Sequence, residues 1–185
     1  IQGSITPTGD LDLFKFSVPI QTVVNVELFD GSGTDCTASI PAGMSVAVLD
    51  SAGVVLKNDT TSSGIGLCGS LNVALASGNY YARASKTASG TIAGYILKIH
   101  YLTDQGIETE PNNSVPFSNA LPNASERFVQ GAVSPTGDVD FYSITLASTT
   151  SLRIETLEGD FATTCESNLI DSLVELYNSG GVLLG

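Results

Sequence analysis

Tryptophan is absent from these 185 residues, histidine and methionine occur once each, and only 7 lysines and arginines stand against 19 aspartates and glutamates. Each shortage excludes something. With no Trp and few aromatics near its acids, the chain offers no platform for stacking sugar rings beside the glycosidase-type carboxylate pairs that Asp138, Asp140 and Glu155 would otherwise supply. A serine or cysteine triad would need the one histidine as its base. His100 lies in "YILKIHY", where alternation places it with Lys98 on the face opposite Tyr95, Leu97 and Ile99, so it is expected to be a solvent-facing strand residue. No serine sits in a nucleophile elbow either. The formal net charge of −12 leaves no basic patch to displace counterions from a phosphate backbone, which argues against nucleic acid. No apolar run approaches the roughly 20 residues of a membrane helix, and no Gly-rich phosphate loop leads from a strand into a helix. The chain is therefore expected to have no active site of its own.

What is present is globular: 42% of the residues are hydrophobic, enough to fill a core. The acidic balance suits a secreted, soluble protein or one that holds cations such as calcium. The opening "IQGSITPTGD" has neither a basic n-region nor an apolar h-region, so a signal peptide, if the protein has one, is expected upstream. Sequons begin at Asn58, Asn112 and Asn123, each in a polar, turn-like stretch where a glycan would be tolerated.

The most informative feature is internal repetition. Gln2, Gly3, Pro7, Thr8, Gly9, Asp10 and Asp12 recur as Gln130, Gly131, Pro135, Thr136, Gly137, Asp138 and Asp140, an offset of 128. Thr22 and Glu27 recur as Thr150 and Glu155, and "VAVLDSAGVVL" from Val46 recurs as "VELYNSGGVLL" from Val174 at the same offset. Between these blocks the offset slips by one, which aligns Cys36 with Cys165. The chain is thus expected to be a window on a longer protein. Residues 1–103 form a first repeat lacking its N-terminal linker motif, 104–128 an acidic, Pro/Asn-rich linker, and 129–185 the first half of a second repeat. A disulfide between Cys36 and Cys68 would close a loop of about 30 residues, worth roughly 3 to 4 kcal/mol in the chain-entropy model, and would imply an oxidising compartment. The polar, turn-like flanks favour the bridge over two buried free thiols; Cys165 is left to a partner beyond its own half-repeat.

Period-2 alternation dominates and no segment sustains a helical period with caps. "DLFKFSV" and "TVVNVELF" alternate, "SVAVLDSAGVVL" reads as two strands around a Ser-Ala-Gly turn, "SLNVALASGNYYARAS" as strand, Gly-Asn turn, strand, and "AGYILKIHYL" as a last strand. Six to eight short strands separated by turn residues describe an all-β fold, an antiparallel β-sandwich of jelly-roll type, in tandem with the second copy truncated. In the linker, "GIETEPNNS" orders Glu108, Glu110, Asn112 and Asn113 so that, if extended, it brings side-chain oxygens together.

"ETEPNNS" followed by "GDVDFYSITL" resembles the bacterial pre-peptidase C-terminal domain, in which an E-x-E-P-N motif opens the domain and a G-D-x-D-[FY]-[FY] motif enters an early strand. "DSLVELYNSGG" is similar to that family's Asp-x-x-Leu-x-Leu-Tyr-x-x-x-Gly hairpin, and "SGNYYARAS" to its Gly-x-Tyr-Tyr-x-x-Val strand, with Ala84 where an aliphatic is usual. The resemblance implies a non-catalytic, jelly-roll-like sandwich appended to secreted hydrolases or repeated in surface proteins. The related collagen-binding domains of bacterial collagenases hold calcium between linker acids and the first acidic turn. Carried over by position, that sets Glu108, Glu110, Asn112 and Asn113 opposite Asp138 and Asp140; in the first copy only Asp10 and Asp12 can be placed. The cysteines and an insertion around "GSGTDCTASIPAGMS" depart from the family, so binding faces do not carry over. Calcium takes six to eight hard oxygens, and four carboxylates brought together would repel one another without a cation. The competing reading makes Asp10 and Asp138 turn residues bonded to nearby backbone NH groups and leaves Glu108 and Glu110 solvated.

Two functions follow. One is a structural module of an adhesin, surface layer or filament that meets neighbouring copies of the same repeat, including by addition of an extended segment such as "VPFSNALP" to a neighbour's sheet. The other is an accessory targeting or substrate-binding domain of a secreted peptidase or other hydrolase, with an unidentified polymer ligand.

Overall fold

The computed structural model describes residues 1–31, 43–59, 68–86, 89–122, 126–150, 152–156 and 173–185. It divides into two compact units, Ile1–Leu102 and Thr103–Gly185, so the segment expected to link the repeats falls in the second unit. The described residues contain no α-helix and, in particular, no helix long and apolar enough to cross a membrane.

The first unit is an antiparallel β-sandwich. Its strands are β1 (Gln2–Ile5), β2 (Leu11–Val18), β3 (Thr22–Asp30), β4 (Met44–Leu49), β5 (Val55–Asp59), β6 (Ser70–Leu75), β7 (Gly78–Lys86) and β8 (Ile92–Ile107), the last running into the second unit. One sheet has the order β1-β8-β3-β6 and the other β2-β7-β4-β5. Alternation decides what lies between them. Val24, Val26 and Leu28 of β3 face Val46 and Val48 of β4, and Leu71, Val73, Ala82, Ala84, Tyr95 and Leu97 complete the apolar core.

Two details differ from the sequence reading. The segment around Gly78 and Asn79 is no hairpin turn: β6 pairs with β3, whereas β7 begins at Gly78 and pairs with β2 and β4, so Ala76 and Ser77 carry the chain from one sheet to the other. The β2 partner claims Asn79, whose Oδ1 accepts from Ser17 Oγ at 2.8 Å. His100 and Lys98 are half-buried rather than fully solvated, because β3 sets Asn25 and Glu27 directly opposite them and Lys98 Nζ lies 4.1 Å from the centre of the Phe29 ring. This outer face of β3 is itself buried and polar: Asn25 Nδ2 donates to Asn72 Oδ1 at 3.0 Å, and Ser70 Oγ to Glu27 Oε1 at 3.2 Å, which meets the cost of burying them.

The repeat is structural as well as textual. In both acidic turns the Pro is cis (Thr6-Pro7, Ser134-Pro135), and the third turn residue is a glycine in the left-handed region, Gly9 at φ 86° and Gly137 at φ 90°. A side chain is strained there, which explains why glycine recurs. Asp10 N donates to Pro7 O at 3.1 Å and Asp138 N to Pro135 O at 3.0 Å. The Asp50 hairpin and its counterpart at Asn178 match equally: Oδ1 accepts from Ala52 and Val54 N in one, and from Gly180 and Val182 N in the other.

In the second unit the linker forms strands of its own. β9 (Asn119–Ala120) pairs with β11 (Tyr142–Ser143), and β10 (Arg127–Gln130) pairs with the end of β8 over Thr103–Ile107. Both pairs are parallel, in contrast to the first unit. The stretch read as able to add to a neighbour's sheet adds instead to a strand of its own unit.

Candidate metal centre

The site is assembled by linker backbone pairing. Glu108 N donates to Gln130 O at 2.8 Å, and Phe141 N to Asn112 O at 3.1 Å, which lays 108–112 across the start of the second repeat. The Asn119 side chain fastens the linker to itself, accepting from Thr109 N at 2.9 Å and donating to Thr109 O at 3.0 Å. The segment is not a regular strand here: the chain bends at Glu110, whose peptide bond to Pro111 is cis.

Three of the six expected ligands meet as carboxylates. One oxygen from each of Glu108, Glu110 and Asp140 lies within 4.8 Å of the other two, the one such group of His, Cys, Asp or Glu among the described residues. Asn112 joins them: its backbone N donates to Glu110 Oε2 at 2.8 Å and its Nδ2 to Glu108 Oε2 at 3.2 Å. Its side chain is fully buried, yet its Oδ1 has no hydrogen-bond partner, and neither has Asp140 Oδ1. An orphaned buried amide oxygen beside three carboxylates, one of which itself has an orphaned buried oxygen, fits a hard divalent cation, since each orphan would otherwise carry an uncompensated desolvation cost.

The other two expected ligands stand elsewhere. Asn113 is exposed. Asp138 does what a turn aspartate does: its Oδ2 accepts from Ser134 N at 2.9 Å and its Oδ1 from Val139 N at 3.1 Å, leaving only its charge to act on Asp140. Asp10 is tied in the same way to Thr6 N at 3.0 Å, and Asp12 accepts from the Tyr95 hydroxyl at 2.6 Å.

Sequence reasoning did not single out two residues that hold Glu108. Tyr142 donates its hydroxyl to Glu108 Oε2, while Oε1 accepts from Ala132 N at 2.5 Å. Gly131 makes room for this: a Cβ there would lie 2.6 Å from the Tyr142 hydroxyl and 2.7 Å from Glu108 Oε2. The recurrence of Gly3 as Gly131 was the available signal, because neither glycine belongs to a turn. At Gly3 the Tyr95 hydroxyl takes the corresponding place.

Burial first, then the charges of Glu108, Asp138 and Glu110 and a hydrogen bond with Glu108, push Asp140 from its ordinary 3.8 up to about 6. Burial and the bond to Glu108 raise Tyr142, which therefore remains a donor. For Asp140 the folded chain holds the proton more tightly than the unfolded chain. Between 3.8 and about 6 the folded state carries more protons, so this group's contribution to stability falls as pH rises through that window. Without calcium, the melting temperature of the second unit is expected to rise as pH is lowered from about 7 to about 5. An ion held by this group would reverse the trend, since protons would then compete with it. Melts at fixed ionic strength check this, and a calcium-free melting temperature that falls on acidification contradicts it.

The remaining expected sites divide. Asn112 heads a sequon, but its buried amide, engaged by Glu108, leaves no room for a glycan in this fold; Asn58, in β5, is exposed, and Asn123 lies outside the described residues. Cys68 is buried in the first unit's core, while Cys36 and Cys165 lie outside the described residues.

No family model matches the chain, and no curated protein matches it. Among solved structures it is similar to the crystal structure of a pre-peptidase C-terminal domain of collagenase from Bacillus anthracis, with 20% sequence identity and a TM-score of 0.40 over 54% of this chain and 85% of that one. That is the family whose motifs the linker and acidic turn resemble; its ligands and activities do not transfer on this likeness.

Proposed function

We propose that this chain is a non-catalytic, extracellular tandem β-sandwich module of a larger secreted or cell-surface protein, serving structural assembly or adhesion with neighbouring copies, and that calcium fastens the linker to the second repeat. The observation that carries the calcium reading is the meeting of Glu108, Glu110 and Asp140 beside the orphaned Oδ1 of the buried Asn112. These four residues would hold the ion, which supplies the positive charge that three adjacent carboxylates need. The role is mechanical: a linker bound at its acids stays held against the start of the second repeat. The chain's acidity, its repetition and the bridge expected between Cys36 and Cys68 suit the same setting.

Thermal melts of the EDTA-treated chain test this. Calcium at about 100 times its dissociation constant is expected to stabilise the second unit by about 2.7 kcal/mol, a shift on the order of 10 °C for a unit of this size. An unchanged second transition at millimolar calcium would overturn the reading.

A further inference from the structure

The two units differ in charge. Ile1–Leu102 carries 7 acidic and 5 basic residues, a net −2, whereas Thr103–Gly185 carries 12 and 2, a net −10. Two of the first unit's bases, Lys15 and Arg83, share one surface, the outer face of the β2-β7-β4-β5 sheet.

Strand alternation builds that surface. Phe14, Phe16 and Val18 turn toward the core, which leaves Leu11, Leu13 and Lys15 of β2 on the outside. On β7, Arg83 lies opposite Leu13 and Tyr81 opposite Lys15. On the other side of β7 the same two residues lie opposite Ala47 and Leu49 of β4, which are already buried, at 0% and 6% exposure. The open part of the face is therefore its β2 side, where Leu11 and Leu13 are each half exposed. β2 is an edge strand, so no strand of its own sheet lies beyond it. Arg83 is the anomaly in this setting. Its Nε is buried without a hydrogen-bond partner, and among the described residues no carboxylate pairs with Arg83 or Lys15, although the chain has 19 acids. A carboxylate bonded side-on to the guanidinium would relieve the desolvation cost of that orphaned donor.

We propose that this face is the docking surface for the acidic second unit of a neighbouring copy, with a carboxylate of that unit seated on Arg83 and Lys15 and apolar contact on Leu11 and Leu13. The proposal rests on the reading that the chain meets neighbouring copies, and it gives that contact a polarity. Pairing the face with itself would set Arg83 and Lys15 against their own equivalents. A basic face on one unit and a strongly acidic surface on the other make the contact heterologous, so copies add head to tail.

Sedimentation velocity of the full chain from micromolar to millimolar concentration tests this. Ionic strength of about 0.1 M screens the net repulsion between copies beyond about 10 Å and leaves charges in contact attractive. The average sedimentation coefficient is expected to rise with concentration past that of a dimer. Arg83→Gln and Lys15→Glu are each expected to weaken the association at least about tenfold. Lys15 stands exposed on the edge strand, so its variant keeps first-unit melting unchanged and reads the face even where the loss of Arg83 disturbs packing. Association that withstands both variants, or that stops at a dimer, would overturn the proposal and leave assembly between neighbours standing. A chain that stays monomeric at millimolar concentration would remove both.

Discussion

Replacing Tyr95 by alanine is expected to cost the first unit about 3 to 5 kcal/mol, the range for deleting a buried aromatic side chain. Tyr95 is almost fully buried in the core, stands edge-on to Phe14 with ring centroids 6.5 Å apart, and donates its hydroxyl to Asp12 Oδ2 at 2.6 Å. Tyr95→Phe separates the two contributions. It keeps the ring and removes only a hydrogen bond to a charged acceptor, so it is expected to cost about 1.5 to 3 kcal/mol. Denaturant unfolding followed by first-unit probes checks both. Equal losses in the two variants would mean that the hydroxyl carries everything and the ring packs poorly, contrary to its position between the sheets.

Glu108→Gln is expected to weaken calcium binding at least about tenfold, or about 1.4 kcal/mol, while leaving the calcium-free fold as stable as before or slightly more so. The two effects have opposite signs for one reason. Glu108 lies against Glu110 and Asp140, and its charge helps to push Asp140 up to about 6. Without an ion, removing one carboxylate relieves repulsion; with an ion, it removes attraction. The amide keeps the shape and one accepting oxygen, which Ala132 N still holds, while its NH2 group donates to the Tyr142 hydroxyl, which turns from donor to acceptor, so lost folding is not the expected cause of lost binding. Paired calorimetry and melts on the variant read the split. A variant that binds calcium normally, or that loses stability without calcium, would place the ion elsewhere.

The legible part of the fold was what a strand's own residues determine. Alternation located β2, β3 and β8, and the repeated Gly-Asp turns and the Asp50 hairpin announced themselves through residues that need a left-handed backbone or a side-chain cap. Pairing partners were not legible in the same way. Nothing local in "NVALASGNYY" tells whether β6 and β7 lie side by side or in opposite sheets, because that depends on which distant strand each can cover. The site divided along the same line. Glu108, Glu110, Asn112 and Asp140 were singled out by the linker's run of acids and amides and the second acid of the turn, although the chain bends at Glu110 rather than running extended. Asp138 stands outside the group because its carboxylate bonds four residues back, within the turn, as the competing reading had it. Asn113 is exposed, apart from the group, which its residue type alone could not announce. Tyr142 escaped notice since its partner lies 34 residues away, a contact that only packing creates.

The most direct test of the central claim is a calorimetric titration of calcium into the unmodified, EDTA-treated chain near neutral pH. Coordination by Glu108, Glu110, Asp140 and Asn112 requires saturable heat at one equivalent per chain, diminishing as the pH is taken below about 6, where Asp140 holds its proton. An absence of heat at neutral pH and millimolar calcium would contradict it.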